Sequence, residues 1–300
     1  MKKPVLAIIT GPTAVGKTST SVWLARQLST EIISADSRQF YREMRIGTAV
    51  PAPGEREGIP HHFIGHLSVA DQYNVSRFEQ DVLRLTEELF WKYPVVIMTG
   101  GSGLYIDAVC HGIDDLPDAD ATIRGELKHI LQKDGIESLQ QKLKLLDPVF
   151  YSEADIQNPN RILRALEVSI QTGLPYSSFR KRTRKERPFD ILKIGIFREK
   201  EELNNRINHR VDQMVEDGLE LEARNLLPFR HLNALNTVGY KEFFRYFDGE
   251  TSFEQAVTDI KTNSRRYAKR QMTWFRKDPE LNWIQADNTQ KMLELITSRR

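Results

Sequence analysis

The first thirty residues follow the hydrophobic pattern of a buried strand, a tight turn and a helix. Val5–Thr10 is a continuous apolar run of the kind that is buried in a parallel sheet. A glycine-rich turn covers residues 11–16, and the next segment, Lys17–Leu28, carries apolar residues at helical spacing. The start of the chain therefore predicts a strand–turn–helix unit.

The same alternation of elements recurs farther along the chain. Glu31–Ala35 is a short strand that ends at Asp36, and Val75–Trp91 is a helix with apolar residues at i, i+4, i+7 and i+11. Pro94–Thr99 is a third buried strand, and a glycine-rich turn at residues 100–103 follows it. Strands that alternate with helices predict an α/β fold, a parallel sheet flanked by helices.

The pattern changes near Leu116-Pro117. Residues 121–173 are helix-forming without a clear strand, whereas Ile191–Phe197 is again strand-like. We therefore predict a helical insertion domain over residues 117–190, placed within an α/β core of residues 1–116 and 191–300. Further core helices are predicted at Lys200–Glu216, Leu219–Leu226, Lys241–Asp248 and Phe253–Lys277.

Composition narrows the class of protein. The 300 residues contain a single cysteine, Cys110, which excludes an intramolecular disulfide and a cysteine-based zinc cluster. No apolar run approaches the roughly 18–20 residues that a membrane span needs. These features lead us to expect a cytoplasmic protein that does not associate with membranes, and we expect a monomer.

The net charge of +2 conceals two basic blocks. Residues 180–187 carry six Lys or Arg against one acid, and residues 261–277 carry seven with no acid. Such blocks usually lie on solvated helix faces, but they also suit a polyanionic partner.

Residues 11–18, GPTAVGKT, match the phosphate-loop pattern G-x-x-x-x-G-K-[ST]. In such a loop the backbone N–H groups and the dipole of the following helix form a cradle for an anion. Lys17 adds a positive charge, and the hydroxyl of Thr18 can reach a magnesium ion. The residues predicted to bind a diphosphate or triphosphate are Gly11, Thr13, Ala14, Val15, Gly16, Lys17 and Thr18.

The carboxylate that helps to hold magnesium in ordinary NTPases has no counterpart at the expected place. In those enzymes an acid ends a later apolar strand, whereas Val95–Thr99 runs into Gly100-Gly101. Asp36 instead ends the second strand, and the carboxyl ends of parallel strands line a common crevice. Asp36 is therefore a candidate magnesium ligand, general base or helix N-cap. Ser102 either offers a hydroxyl to the same crevice or serves only as a turn residue.

Several segments, in order along the chain, together resemble the bacterial tRNA dimethylallyltransferases. They are GPTAVGKT at 11–18, SADSRQ at 34–39, IGTA at 46–49, GGSGLY at 100–105, NPNRILRALE at 158–167, RIN and RVD within 206–212, NTVGY at 236–240, and YAKRQ with WFR within 267–276. The resemblance extends from residue 8 to about residue 277. One departure is Ser102, where the family usually has threonine; the hydroxyl is retained.

The resemblance implies transfer of the dimethylallyl group from dimethylallyl diphosphate to N6 of adenosine 37 in tRNA. For that reaction Asp36 is the candidate base that takes a proton from the adenine amine, and Ser102 would help to hold the leaving oxygen. Lys17, Thr18 and Mg²⁺ would neutralise the charge that grows on the diphosphate.

Two arginines extend the expected diphosphate site. Arg206 and Arg210 lie at i and i+4 of a predicted helix, so they share one face. They would either grip the diphosphate or pair with Glu202.

Contacts to the anticodon stem-loop of tRNA are expected in both the core and the insertion. Arg161 and Arg164 share one face of the helix that follows Asn158-Pro159, an N-cap and first helical position. The opposite, buried face is predicted to contain Leu163, Leu166 and Ile170. The predicted tRNA contacts are Asp36, Ser37, Arg38, Gln39, Ser102, Arg124, Asn160, Arg161, Ile162, Leu163, Arg164, Gly239, Tyr240, Lys241, Arg266 and Arg270.

Two further groups receive structural rather than functional interpretations. Tyr267 and Trp274 lie seven residues apart on a helix, so we interpret them as core residues rather than as stacking partners for bases. His61, His62 and His66 are interpreted as surface residues rather than metal ligands, because no carboxylate signature accompanies them.

Alternatives to a tRNA-modifying prenyltransferase remain open from the residues alone. One is a phosphate-loop enzyme acting on small molecules, either a nucleotide kinase or a prenyltransferase that uses free AMP. Another is a non-catalytic RNA-binding protein. The basic blocks and the helical insertion favour RNA over AMP, the missing acid after Met98 disfavours a kinase, and Asp36 with Lys17 in one crevice disfavours a passive binder.

Overall fold

A computed structural model of the chain describes residues 3–118, 120–181 and 183–299. The chain divides into two compact units, which are described separately. The core unit comprises Met1–Cys110 and Glu186–Arg300, and the insertion comprises His111–Lys185.

The bounds of the elements follow the chain. The first part of the core contains β1 (Val5–Thr10), α1 (Lys17–Leu28), β2 (Ile32–Ser34), β3 (His61–His62), α2 (Val75–Phe90), β4 (Val95–Gly100) and α3 (Gly103–His111). The insertion contains α4 (Ala121–Leu146), α5 (Pro148–Glu153), α6 (Pro159–Thr172) and α7 (Tyr176–Phe179). The core resumes with β5 (Asp190–Phe197), α8 (Lys200–Glu216), α9 (Leu219–Asn225), α10 (Tyr240–Phe247), α11 (Phe253–Phe275), β6 (Asn282–Gln285) and α12 (Thr289–Arg299).

The described strands form one parallel sheet in the order β3-β2-β4-β1-β5-β6. Thr10 at the end of β1 is in register with Gly100 of β4 and Gly195 of β5. The turns that follow β1, β2 and β4 therefore leave the sheet at the same edge, where ligands bind in open α/β sheets. This arrangement confirms the predicted α/β fold.

Both faces of the sheet are buried, which explains the continuous apolar runs of the strands. Alternate residues of β1 enter different clusters: Ala7 and Ile9 pack on the side of α1 and α12, whereas Leu6 and Ile8 pack on the side of α2 and α3. A third cluster joins α8–α11 to the segment after β2.

The insertion has its own hydrophobic cluster, formed by α4, α5 and α6. The predicted N-cap is confirmed, because the Asn158 side chain accepts hydrogen bonds from the backbone N–H groups of residues 160 and 161. Leu163 and Leu166 are buried as expected, but Ile170 is 41% exposed, so its assignment to the buried face is wrong. Leu166 is the last residue of α6 in the hydrophobic cluster of the insertion, and Ile170, one turn later, lies outside that cluster.

The predicted insertion, residues 117–190, differs from the compact unit at both ends. The chain leaves the core six residues earlier and returns five residues earlier. The return is early because Phe189 is buried in the core and Arg187 pairs there with Glu79 at 2.7 Å. Within the first basic block, Arg182 lies outside the described residues. No helix in the described ranges has the length and hydrophobicity to cross a bilayer.

Candidate active site

The phosphate loop connects β1 to α1 in a conformation that its glycines permit. Gly11 has a φ of +152°, and a Cβ at this position would lie 2.5 Å from the carbonyl oxygen of Ile196. Gly16 has a φ of +112° and is the N-cap of α1, which begins at Lys17. The two glycines therefore allow the tight turn that the motif predicts.

Cations hold the carbonyl oxygens of this loop. Lys17 Nζ donates to the carbonyls of Gly11 at 3.0 Å and Pro12 at 2.8 Å. Arg206 Nε donates to the Ala14 carbonyl, and Arg198 Nε donates to the Val15 carbonyl, each at 2.9 Å. With these carbonyls occupied, the donors left for an anion are backbone N–H groups of the loop other than that of Thr13, which donates to Gln271 Oε1 at 2.9 Å.

Two roles are predicted for Arg206 and Arg210, and the structure does not show the second one, pairing with Glu202. That carboxylate instead receives Arg198, which Asp287 also binds, so Arg198 is fixed between two acids. Both Arg206 and Arg210 line the same cavity as Lys17 and Thr18. Diphosphate binding by the two arginines stays a prediction that this placement favours.

That cavity has a volume of about 910 Å³ and continues into a smaller one. Asp36, Arg210 and Tyr267 line both parts. The larger part contains the polar residues of the phosphate loop, whereas the smaller part places apolar side chains of the core beside polar residues such as Arg38, Thr237 and Ser264. These apolar residues are Ile207, Val211, Met214, Val238 and Ile260.

Asp36 follows β2 and belongs to the same electrostatic cluster as Lys17 and Arg210. Burial lowers the pKa of Lys17 to about 8; the negative charge of Asp36 opposes this shift, and the positive charge of Arg210 adds to it. Burial likewise lowers the pKa of Arg210, again against the opposing charge of Asp36. The Asp36 carboxylate accepts the backbone N–H of Arg38 at 3.1 Å within a turn, so the N-cap interpretation is wrong.

Ser102 supports the turn that carries Asp36. Its Oγ accepts the backbone N–H of Ser37 at 2.9 Å and lies 3.1 Å from the Ser37 hydroxyl. A Cβ at Gly100 would overlap the backbone of Ala35, so the turn after β4 and the end of β2 pack directly against each other. Contact of Ser102 with a leaving oxygen stays a prediction.

Arg38 and Gln39 also hold the walls of the cavity. Arg38 donates to the carbonyls of Asn233 and Ala234 at 2.9 and 3.0 Å. Gln39 Nε2 donates to the carbonyls of Thr48 and Ala49 at 3.1 and 3.0 Å. The predicted tRNA contacts of both residues would therefore have to coexist with these internal bonds.

Sequence reasoning missed the clamp that holds the cavity wall at residues 45–49. Glu222 accepts the consecutive backbone N–H groups of Arg45, Ile46 and Gly47, and it also accepts the Tyr240 hydroxyl at 2.6 Å. Gly47 has no room for a side chain, because a Cβ there would lie 2.7 Å from the Tyr240 ring. The glycine of the IGTA segment was the available signal for this close approach.

Three predicted tRNA contacts have buried side chains. Tyr240 is fully buried at the Glu222 clamp, while Ile162 and Leu163 are buried in the cluster of the insertion. Their side chains therefore serve packing, which corrects a prediction based on motif membership alone. Gly239 is buried and lines the cavity, whereas Lys241 is exposed.

The predicted tRNA contacts with polar side chains in the insertion are two half-buried arginines near Glu167 and two exposed residues. Arg164 donates to the buried carboxylate of Glu167 at 3.0 Å and to the Pro117 carbonyl at 2.6 Å. Arg124 lies 3.9 Å from the same carboxylate. Asn160 and Arg161 are exposed.

The assignment of Tyr267 and Trp274 to the core is wrong. Tyr267 lines the cavity, and burial together with the charge of Asp36 raises the pKa of its hydroxyl. Trp274 is 42% exposed and donates its indole N–H to Asp107 at 3.0 Å. Arg270 lies over the Tyr267 ring at 5.7 Å, and Arg266 is exposed on the same helix.

The histidine segment has a structural explanation. His61 and His62 form β3 at the edge of the sheet, and His62 Nε2 lies 2.6 Å from Glu31 Oε2. Among the residues that the structure describes, no group of three or more His, Cys, Asp or Glu is placed to hold a metal ion.

The buried lysine predicts how diphosphate affinity depends on pH. The pKa of Lys17 in the ligand-free protein is about 8. Above pH 8 a growing fraction of the protein therefore has a neutral Lys17, which must take up a proton before it can pair with an anion. The affinity for inorganic diphosphate, relative to that of Lys17→Arg, should therefore fall by up to about tenfold per pH unit above pH 8. Calorimetric titration between pH 7 and 9.5 measures this, with Lys17→Arg as the reference because arginine stays charged. Parallel pH profiles for the two proteins would contradict it.

Comparison with known proteins gives a consistent result. The pattern of the family described as IPP transferase matches residues 39–278. A tRNA dimethylallyltransferase from Christiangramia forsetii is 53% identical over 292 residues, which cover 97% of this chain and 97% of the relative. A tRNA dimethylallyltransferase 1 from Bacteroides thetaiotaomicron is 48% identical over 293 residues, covering 98% and 95%.

Two solved structures share the fold. The full-length tRNA isopentenylpyrophosphate transferase of Bacillus halodurans superposes with a TM-score of 0.72 at 37% identity, and the match covers 99% of this chain and 97% of that one. A eukaryotic dimethylallyltransferase acting on tRNA gives a TM-score of 0.82 at 26% identity, covering 99% and 80%.

Proposed function

Because the chain belongs to the IPP transferase family, we propose that it transfers the dimethylallyl group of dimethylallyl diphosphate to N6 of adenosine 37 in tRNA, giving N6-(dimethylallyl)adenosine and diphosphate. The observation that carries the proposal is the single cavity in which the phosphate loop, Asp36 and an apolar surface meet. A diphosphate, a proton acceptor and a short hydrocarbon chain are the three chemical needs of this reaction.

Each part of the cavity has a role in the proposed reaction. The phosphate loop with Lys17, Arg206 and Arg210 binds the diphosphate and stabilises its charge as the allylic C–O bond breaks. The apolar residues around Met214 accommodate the dimethylallyl group. Asp36 takes the proton that N6 of adenine loses when the new C–N bond forms.

The donor set of the loop also fits Mg²⁺. Thr18 lines the cavity and offers a hard oxygen ligand, and Mg²⁺ commonly completes its shell with substrate phosphates and water rather than with many side chains. When bound, the ion would add positive charge beside the diphosphate.

Adenosine 37 lies in the anticodon loop, so the tRNA must present this base to a cavity that is lined by buried groups. Extrusion of the base is the usual solution to that problem. We propose that Asp36, Ser37, Arg38 and Gln39 lie next to the extruded base. The exposed Asn160, Arg161, Lys241, Arg266 and Arg270 would contact the anticodon stem-loop. A tRNA substrate and the single cysteine favour a cytoplasmic location.

Incubation with labelled dimethylallyl diphosphate tests the proposed function. Unmodified tRNA, AMP and ATP are compared as acceptors under identical conditions. We expect label in tRNA alone. Transfer to AMP or ATP would instead identify a small-molecule prenyltransferase, and tRNA binding without transfer would identify a non-catalytic RNA-binding protein. Formation of ADP in a parallel incubation with AMP and ATP would identify a kinase.

The first basic block predicts how tRNA binding depends on salt. Replacing Arg180, Lys181 and Arg182 by glutamine should reduce the slope of log affinity against log salt by roughly two units, about 0.7–0.9 for each tRNA phosphate that is no longer neutralised. Diphosphate affinity and the rate at saturating tRNA should not change, because Arg180 and Lys181 do not line the cavity.

Titration of tRNA at several salt concentrations measures the slope. The control is Lys291→Gln on α12, an exposed lysine outside both basic blocks. An unchanged slope would show that the block is a solvated surface. Arg180 pairs with Glu153 at 3.4 Å, so its charge already has a partner within the protein. The slope shows whether the charge also neutralises a tRNA phosphate.

A further inference from the structure

Gln271 joins the phosphate loop to the turn that follows β4. Its Oε1 accepts the backbone N–H of Thr13 at 2.9 Å, and its Nε2 donates to the carbonyl of Gly101 at 2.9 Å. One bond requires an acceptor and the other a donor, so the two partners fix the orientation of the amide. Only 6% of the residue is exposed.

This amide is the first link in a path of hydrogen bonds that reaches Asp36. Gly101 precedes Ser102, and Ser102 Oγ accepts the backbone N–H of Ser37. Ser37 in turn follows Asp36 directly. Gln271 therefore connects the phosphate loop to the candidate base through two short backbone segments, in addition to the pairing of β1, β4 and β2 in the sheet.

The space around the amide is closely filled. A Cβ added at Gly101 would overlap Gln271 Nε2 and would lie 3.6 Å from Lys17 Nζ. Gln271 itself continues the cavity-lining face of α11, which also carries Ile260, Ser264 and Tyr267. The side chain is thus at the edge of the cavity, beside the lysine of the loop.

We infer that Gln271 is a positioning residue, which fixes the separation between the diphosphate cradle and Asp36. The inference rests on the proposed function and deepens it. In the proposed reaction the allylic carbon must lie at a fixed distance from the adenine amine. The diphosphate cradle holds the carbon, and the amine lies near Asp36. A displacement of about 1 Å in such an arrangement costs on the order of 100-fold in rate.

Substitution of the amide tests the inference. In Gln271→Met the side chain keeps a similar length but has neither hydrogen bond, and in Gln271→Asn the amide is one methylene too short to reach both partners. We expect each variant to lower the single-turnover rate of prenyl transfer to tRNA about 100-fold. The KM for dimethylallyl diphosphate and the affinity for tRNA should stay within about threefold of the parent protein.

Gln255→Met is the matched control. Gln255 lies on the same helix, is exposed and donates to Asp259 at 2.9 Å, so the same chemical change is made outside the cavity. Its rate should equal that of the parent protein. If Gln255→Met loses as much rate as Gln271→Met, the effect belongs to the helix and the inference is wrong.

A second substitution reaches the same contact from the other side. Gly101→Ala should displace the Gln271 amide without changing its chemistry, and it should lower the rate to a similar degree. Because both substitutions break the contact between Gln271 and residue 101, the double variant Gly101→Ala/Gln271→Met should be no slower than the slower single variant. Fully additive losses would show that the two residues act independently and would overturn the inference.

The outcomes separate the possible roles of Gln271. A raised KM with an unchanged rate would make it a diphosphate-binding residue, and a lowered melting temperature with an unchanged rate would make it purely structural; either result overturns the inference. If the parent protein itself does not prenylate tRNA, the proposed function fails. If the parent is active and Gln271→Asn, folded, transfers at the parent rate, the positioning role alone fails.

Discussion

Replacement of Asp36 by asparagine should lower the single-turnover rate of prenyl transfer by about 10²–10⁴-fold, the usual contribution of a general base. Asparagine has nearly the same shape, and its side-chain oxygen can still accept the backbone N–H of Arg38. The variant therefore keeps the turn but cannot accept the proton from N6. Affinity for tRNA should change no more than a few-fold, because a base acts in the transition state.

Rapid-quench kinetics with both substrates saturating measure this effect. Asp155→Asn is a suitable control, because the Asp155 carboxylate likewise accepts the backbone N–H two residues later. An unchanged rate combined with a collapse of tRNA affinity would make Asp36 a recognition residue, and the base would then lie elsewhere.

Replacement of Lys17 by methionine should reduce turnover roughly 30- to 1000-fold, which corresponds to about 2–4 kcal/mol for removal of a buried charge-assisted bond to the diphosphate. In the ligand-free protein Lys17 donates to the carbonyls of Gly11 and Pro12, so the variant also loosens the loop. Diphosphate affinity should also fall, because the same cation binds the ground-state diphosphate, and turnover falls as well because the contact strengthens as negative charge grows in the transition state.

Turnover and diphosphate titration should be measured on the same preparation, with thermal unfolding to confirm that the protein is folded. Lys291→Met on α12 provides an exposed lysine as the control. Near-normal turnover of a folded Lys17→Met variant would remove the phosphate loop from the mechanism.

Local sequence signals predict the central part of this fold well. The buried run Val5–Thr10, the glycines that follow and the helical spacing after Lys17 give β1 and α1 with their observed bounds. Asp36 is identified for the same reason, because a polar residue at the end of a buried strand must lie at the ligand edge of a parallel sheet. These features depend on residues that are close together in the sequence.

Features set by distant contacts are not predictable in this way. The two-residue strand β3 and the four-residue strand β6 are defined by pairing with their neighbours rather than by a pattern of their own. Gln271 contacts Thr13, 258 positions away, and Glu222 contacts Arg45, 177 positions away. No local spacing indicates either contact.

Membership in a motif also does not reveal the direction of a side chain. Tyr240, Ile162 and Leu163 belong to segments that resemble the family, yet their side chains are buried. Tyr267 shows the opposite case: helical periodicity assigns it to the core, but it faces a cavity, because a cavity wall and a hydrophobic core have the same periodicity.

The central claim is that one cavity brings dimethylallyl diphosphate to the base at position 37 of tRNA. The most direct test compares two anticodon stem-loops that differ only in carrying adenosine or guanosine at position 37, each incubated with dimethylallyl diphosphate and Mg²⁺. Mass spectrometry of the digested nucleosides should find N6-(dimethylallyl)adenosine from the first stem-loop and no prenylated nucleoside from the second. With Asp36→Asn, the initial rate on the first stem-loop should be lower by about 10²–10⁴-fold. Equal prenylation of both stem-loops, or of the adenosine stem-loop by Asp36→Asn at the parent rate, would contradict the account.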